Sequence, residues 1–196
     1  MQARGEETRL RILQSALMLF GRRGYDATGV AGICQSASVS KGAFYHHFAS
    51  KQAVFLNLLE EWLRSVEVDL AGLLAKAPNV VEGLLAMASR TRGIFSDADG
   101  RLAIFLEFWA QARKDPEVWK RVIEPFHRYQ RMFAAVLRRG MKEGTIRAVN
   151  SAAAAQALVA MAVGLIMQGV FDPQSADWSG VTREALRLFI EGIGRR

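Results

Sequence analysis

The chain has 196 residues, 51% of them hydrophobic and 23% charged, which excludes a disordered chain and leaves length for one or two domains with a real core. Its net charge of +7 favours polyanionic partners, but such a surplus is too common to choose one. The single cysteine, Cys34, excludes an internal disulfide framework and a cysteine-cluster metal site, as in a protein of a reducing compartment.

Apolar residues recur at three- and four-residue steps along nearly the whole chain, which predicts an all-α fold. The first helix is expected from Glu6 to Arg22, with Ile12, Leu13, Ala16, Leu17 and Phe20 on its inner side, ending at "GRRGYD". A short second helix follows, capped by Thr28 and burying Val30, Ile33 and Cys34 or Ala37. Ser40 caps a third that ends near His47. Ser50 caps a fourth, "KQAVFLNLLEEWLRSVEVDLAGLLAK", which stops before Pro78. Further helices are expected at Val80 to Ser96, Arg101 to Lys114, Pro116 to Glu143, Ser151 to Phe171 and Ser179 to Gly192. Pro116 suits a first turn, whereas Pro125 predicts a kink or local break.

The start "MQARGEETRLRIL" holds no apolar run of signal-peptide length, and the longest apolar segment, Ala152 to Val170, is diluted by Gln156 and Gln168. The expectation is a cytoplasmic protein without a membrane partner.

The chemistry concentrates in "SVSKGAFYHHF", residues 38 to 48. Two short helices with a tight turn between them have the proportions of a helix-turn-helix whose second helix enters the major groove by its N-terminal end. Ser40 can offer a hydroxyl to a phosphate, and Lys41 supplies charge that displaces counterions. Gly42 lets the backbone approach DNA closely. Ala43 can touch a thymine methyl and the Tyr45 hydroxyl can reach a phosphate, while Phe44 and Phe48 point into the core. Ser50 and Lys51 place a cation and free N–H groups at another helix start. His46 and His47 are poor joint metal ligands, because adjacent helical residues point about 100° apart.

With "ILQSALMLF" before it, "GYDATGVAGICQSASVSKGAFYHHFASKQAVF" resembles the DNA-binding region of the TetR (tetracycline-repressor) family of bacterial transcriptional regulators. In motif the resemblance covers roughly residues 8 to 60. It implies that Thr28, Ser40, Lys41, Gly42, Tyr45, His46 and Lys51 occupy the DNA-contacting places. Ser38 departs from the pattern, standing where glycine is usual, so a left-handed turn there is costly. Gly29 and Gly32 loosen the second helix by roughly 1 kcal/mol each.

The reading is a two-domain regulator, with a reader at residues 1–50 and a helical effector-binding and dimerisation domain at 51–196. The resemblance implies a homodimer that binds a palindromic double-stranded operator as a repressor and leaves it when a small molecule binds. Phe105, Phe108, Trp109, Trp119, Phe126, Tyr129, Phe133, Met161 and Gln168 are the candidate pocket lining, since a pocket needs apolar walls and a few polar handles. Core packing is the competing role for each of them. Small residues Ala153, Ala157, Ala160 and Gly164, with apolar neighbours on the last two helices, are the candidate dimer face. No nucleophile set, phosphate-cradling glycine loop or paired-histidine metal motif occurs, so neither an enzyme nor a cofactor is expected. A rival reading is a helical small-molecule binder or enzyme whose basic N-terminal domain only docks to a partner. Another is an architectural DNA binder without sequence preference.

Overall fold

The computed structural model describes residues 2–88, 108–109 and 112–194. Eight helices are found among the described residues: α1 (Gln2–Arg23), α2 (Val30–Ala37), α3 (Lys41–His47), α4 (Lys51–Lys76), α5 (Val80–Ala88), α6 (Pro116–Glu143), α7 (Ser151–Phe171) and α8 (Trp178–Ile193). The all-α expectation holds. Phe105, and most of the helix expected over residues 101–114, lie outside the described residues, as do residues 89–96 of the helix expected from Val80.

The chain forms two compact units, the described parts of Met1–Arg64 with Gly100–Val122 and of Ser65–Asp99 with Ile123–Arg196. In the first, α1 packs on α2 and α3, and α2 packs on α3. Helix α1 starts at Gln2 rather than Glu6, helped by a Thr8 hydroxyl bond to the Arg4 carbonyl and an Arg9–Glu6 pair one turn apart. Ile12, Leu13, Ala16 and Phe20 are buried as the periodicity requires, and Leu19 takes the inward place expected of Leu17. Gly24, at φ 80°, ends the helix with its N–H on the Phe20 carbonyl at 2.9 Å.

The centre of this unit is aromatic. Phe55 of α4 stacks on Phe108 with ring centroids 4.0 Å apart. Tyr25, from the α1–α2 connection, meets Phe108 edge-on at 5.1 Å and Phe20 at 5.3 Å. Ala112, Val118 and Val122 close the same cluster, with Trp109 and Trp119 half-buried against it. The core of the N-terminal unit is thus completed by residues from well beyond its own helices.

In the second unit α5 and α7 both pack on α8, around Leu84, Leu137, Ile146, Ala155, Leu158, Leu186 and Ile190. Its helix starts are capped. Asn79 accepts from the Glu82 N–H at 3.0 Å, Asn150 accepts from Ala152 and Ala153, and Asp177 accepts from Gly180. Helix α8 therefore begins at Trp178, one residue before the expected Ser179.

Of the kink or local break expected at Pro125, helix α6 shows no break: it is continuous from Pro116 to Glu143. An internal proline costs about 3 kcal/mol, but here each side of it is held by packing: Val118 and Val122 lie in the first core, and Phe133, Ala134 and Leu137 in the second. Between them Pro125 is itself buried. The chain passes from one unit to the other within α4 and again within α6.

Because Phe108 is 0% exposed, Phe108→Ala should destabilise the first unit by about 3–5 kcal/mol. Urea unfolding followed by circular dichroism measures it, and a loss below about 1 kcal/mol would contradict the packing described.

Candidate nucleic-acid interface

Three residues, Ser38, Val39 and Ser40, separate α2 from α3, the spacing of a helix-turn-helix. Ser38 adopts φ 54°, ψ 48°, the left-handed conformation that disfavours any residue with a Cβ. The turn is built on it all the same, since the Val39 N–H reaches the Cys34 carbonyl at 3.0 Å and the Ser38 N–H reaches Gln35 at 3.2 Å. Ile33, Cys34 and Ala37 hold α2 to the core from below.

Ser40 caps α3 as expected, its Oγ accepting from the Ala43 N–H at 3.1 Å. The Oγ–H remains able to donate outward. One turn on, Phe44 is fully buried and Phe48 is 4% exposed, which fixes the rotation of this short helix. Lys41, Gly42, Tyr45 and His46 consequently share the exposed side, at positions i, i+1, i+4 and i+5 of one helical face. Tyr45 is 55% exposed and leans edge-on against Phe44 at 5.3 Å. A Cβ at Gly42 would meet nothing closer than the Ser40 Oγ at 3.7 Å, so that stretch of backbone stands open. Ala43 and His47 are half-buried.

Thr28 is not the cap of α2. Gly29 holds that position, and the Thr28 side chain, 2% exposed, donates its hydroxyl to the Gly24 carbonyl at 2.8 Å. The cap signal misled because the β-turn after α1 folds this threonine inward. Ser50 does cap α4, accepting from the Ala53 N–H at 3.1 Å. The Lys51 ammonium donates to the Tyr25 carbonyl at 2.7 Å and stands 4.1 Å from the centre of the Tyr25 ring. Burial lowers the Lys51 pKa, opposed by the nearby Asp26 carboxylate. Burial, with a contribution from Asp26, pushes the Tyr25 phenol up to about 12. Lys51 thus ties the start of α4 to the α1–α2 connection with one N–H, leaving two for another acceptor.

The pocket candidates divide. Phe108, Trp109 and Trp119 belong to the first unit, where the two indoles lie 6.4 Å apart. Phe126, Tyr129, Phe133 and Met161 gather in or against the core of the second unit. Gln168 is exposed on α7, with its amide on the Gly164 carbonyl at 3.4 Å. Burial raises the Tyr129 phenol pKa well above its ordinary value, reinforced by Glu67. Glu67 also pairs with Arg128 at 2.8 Å. Among the described residues, no group of three or more His, Cys, Asp or Glu side chains is placed to hold a metal ion.

A capped second helix, rotated by two buried phenylalanines to present Lys41, Gly42, Tyr45 and His46, defines a helix-turn-helix DNA-binding unit. Known proteins point to the same class. Residues 12–58 match the family model of bacterial regulatory proteins of the tetR family, and residues 91–194 match that of the BetI-type transcriptional repressor C-terminal region. The chain belongs to the TetR family of transcriptional regulators. It is 27% identical to the transcriptional regulator UidR of Escherichia coli K12 over 98% of this chain and 96% of that one. A transcriptional regulator of Saccharomonospora viridis, solved in complex with choline, superimposes with a TM-score of 0.80 at 25% identity, over 97% of this chain and all of that one. The Bacillus subtilis regulator FadR, solved with stearoyl-CoA, shares the fold at a TM-score of 0.77 and 21% identity, over 94% and 98% of the two chains.

Glycine at position 38 removes the left-handed strain, so Ser38→Gly should stabilise the protein by about 1 kcal/mol. Denaturant midpoints of the two proteins measure the difference.

Proposed function

We propose that this regulator is a dimeric repressor that reads a palindromic operator and is released from it by a small molecule. The observation that carries the reading is the exposed face of α3, where a capped helix start, a lysine, an open glycine backbone and a tyrosine hydroxyl meet. Ser40, Lys41 and Tyr45 suit phosphates, Ala43 and His46 suit base edges, and the two unspent donors of Lys51 suit a further phosphate. Thr28, 2% exposed with its hydroxyl on the Gly24 carbonyl, is not among the proposed contacts. As a DNA-binding regulator it works, by this reading, in the cytoplasm, where DNA is within reach.

Dimerisation is proposed through α7 and α8. Helix α7 is apolar enough by length and composition to cross a membrane, with a mean hydropathy of 1.8, yet 22% of that window is buried within the chain. A second copy supplies the missing cover. Ala153, Ala157 and Ala160 are exposed along α7, a Cβ at Gly164 would meet nothing within 4 Å, and Val181 and Leu188 are exposed on α8. Leu158, Leu186, Ile190 and Ile193 are already buried inside one chain, so the small residues carry the close approach.

Phe126, Tyr129, Phe133, Met161 and Gln168 are the proposed ligand contacts, being the pocket candidates that fall in the second unit. The choline and stearoyl-CoA complexes of similar proteins support ligand control without naming the ligand here. Release requires that the ligand bind the two conformations with different affinity.

Two measurements test the reading. Lys41→Ala should weaken all duplexes and flatten the slope of log affinity against log salt by about one counterion per site, whereas Gly42→Val should abolish specific binding with helicity intact. Unchanged affinity in Gly42→Val would mean that α3 is not the reader. Gly164→Leu, placed where a single chain leaves open space, should convert the dimer to monomer in sedimentation velocity at micromolar concentration. A dimer that survives it would exclude this part of α7 from the interface.

A further inference from the structure

Arg9 lies on α1, away from the exposed face of α3, yet its guanidinium meets three helices. Nη2 donates to the Asn57 Oδ1 at 2.5 Å and to the Glu61 Oε1 at 3.0 Å, two residues one turn apart on α4. Nη1 donates to the Glu6 Oε1 at 3.2 Å on its own helix. The guanidinium carbon stands 5.9 Å from the centre of the Phe48 ring, and Phe48 is the residue that closes α3. Phe48 in turn packs on Phe44, with ring centroids 6.1 Å apart, and Phe44 is the residue that sets the rotation of α3.

A half-exposed ion pair of this kind contributes little stability by itself. What the guanidinium supplies is direction, because its planar fork holds fixed angles to its acceptors that an ammonium does not. Asn57 and Glu61 hold the fork from one side, and its central carbon stands over the Phe48 ring. The far end of α3 is therefore referenced to α4 through one side chain of α1.

We propose that Arg9 is a positioning residue for DNA reading: by tying α1 to α4 across the Phe48 ring, it sets the tilt at which α3 presents Lys41, Gly42 and Tyr45. The inference rests on α3 being the reader, whose own failure shows separately in Gly42→Val. A direct phosphate contact by Arg9 is the competing role, and the two differ in what the acceptors do. As positioning partners, Asn57 and Glu61 are needed for binding. As competitors for a phosphate-binding arginine, they hinder it.

The test titrates the full-length protein with a duplex that the unmodified protein selects from a randomised pool, beside a duplex of random sequence, at several salt concentrations. Arg9→Ala should lower affinity for the selected duplex about tenfold, with little change for the random one and an unchanged salt slope. Glu61→Gln should also lower selective affinity, although it makes the protein more positive. Adding Arg9→Ala to Glu61→Gln should cost less than about twofold more, since both break one arrangement. Arg9→Lys keeps the charge and stem but not the fork. It should lose the same affinity with helicity and thermal midpoint intact, which covers the case in which Arg9→Ala fails to fold. Full affinity in Arg9→Lys would overturn the proposal. So would tighter binding in Glu61→Gln together with a salt slope reduced by about one in Arg9→Ala.

Discussion

Phe108 stacked on Phe55, with Tyr25 set edge-on to it, is the contact on which the DNA-reading unit depends. Helix α1, two short helices and the first turns of α4 enclose little volume, and small cores are marginal. Here the shortfall is met by the segment that brings Phe108, Ala112, Val118 and Val122 into the same cluster. Tyr25 carries the arrangement outward: its carbonyl and ring hold Lys51 at the start of α4, and its chain neighbours lead directly into α2. Hydrophobic burial thus orders a lysine that composition alone would place free in solvent.

Helix α3 itself is fixed more locally. A helix of seven residues is too short to persist unaided, so α3 exists because Ser40 satisfies its first turn and because Phe44 and Phe48 bury one side. The same two rings decide which residues face outward. The left-handed Ser38 shows that the turn geometry is imposed by this packing: α2 and α3 must meet the core together, and the serine bears a strain that glycine would not.

Much of this was legible in the sequence because it is local. Serine before a short apolar-periodic run marks the starts of α3 and α4, and phenylalanines four apart mark an inward face. The family resemblance rests on the same short stretch. What was not legible is long-range. Periodicity shows that Phe108, Trp109 and Trp119 are apolar positions on helices, but not which core they enter. Arg9 reads as an ordinary surface arginine, since its acceptors lie 48 and 52 residues further on. Pro125 reads as a kink or local break because the local cost is visible and the packing on either side is not. Thr28 failed as a cap for a subtler reason: glycine is also tolerated at the N-cap, and Gly29 takes that place without a side-chain bond, which leaves the threonine hydroxyl to turn inward onto the Gly24 carbonyl.

The late origin of Phe108 also bears on how the protein comes into being. The two short helices and the first turns of α4 are synthesised first, but Phe108, which closes their core, follows 44 residues after Arg64. At ordinary rates of synthesis that interval is about 2–9 s. Throughout it Tyr25, Phe20 and Phe55 lack their partner and present an aromatic surface to whatever binds nascent chains. A chain that ends within this interval lacks the ring on which Phe55 stacks and Tyr25 rests edge-on. Placing the last piece of the reader's core so far down the chain makes DNA binding a property that arrives only when most of the regulator has been made.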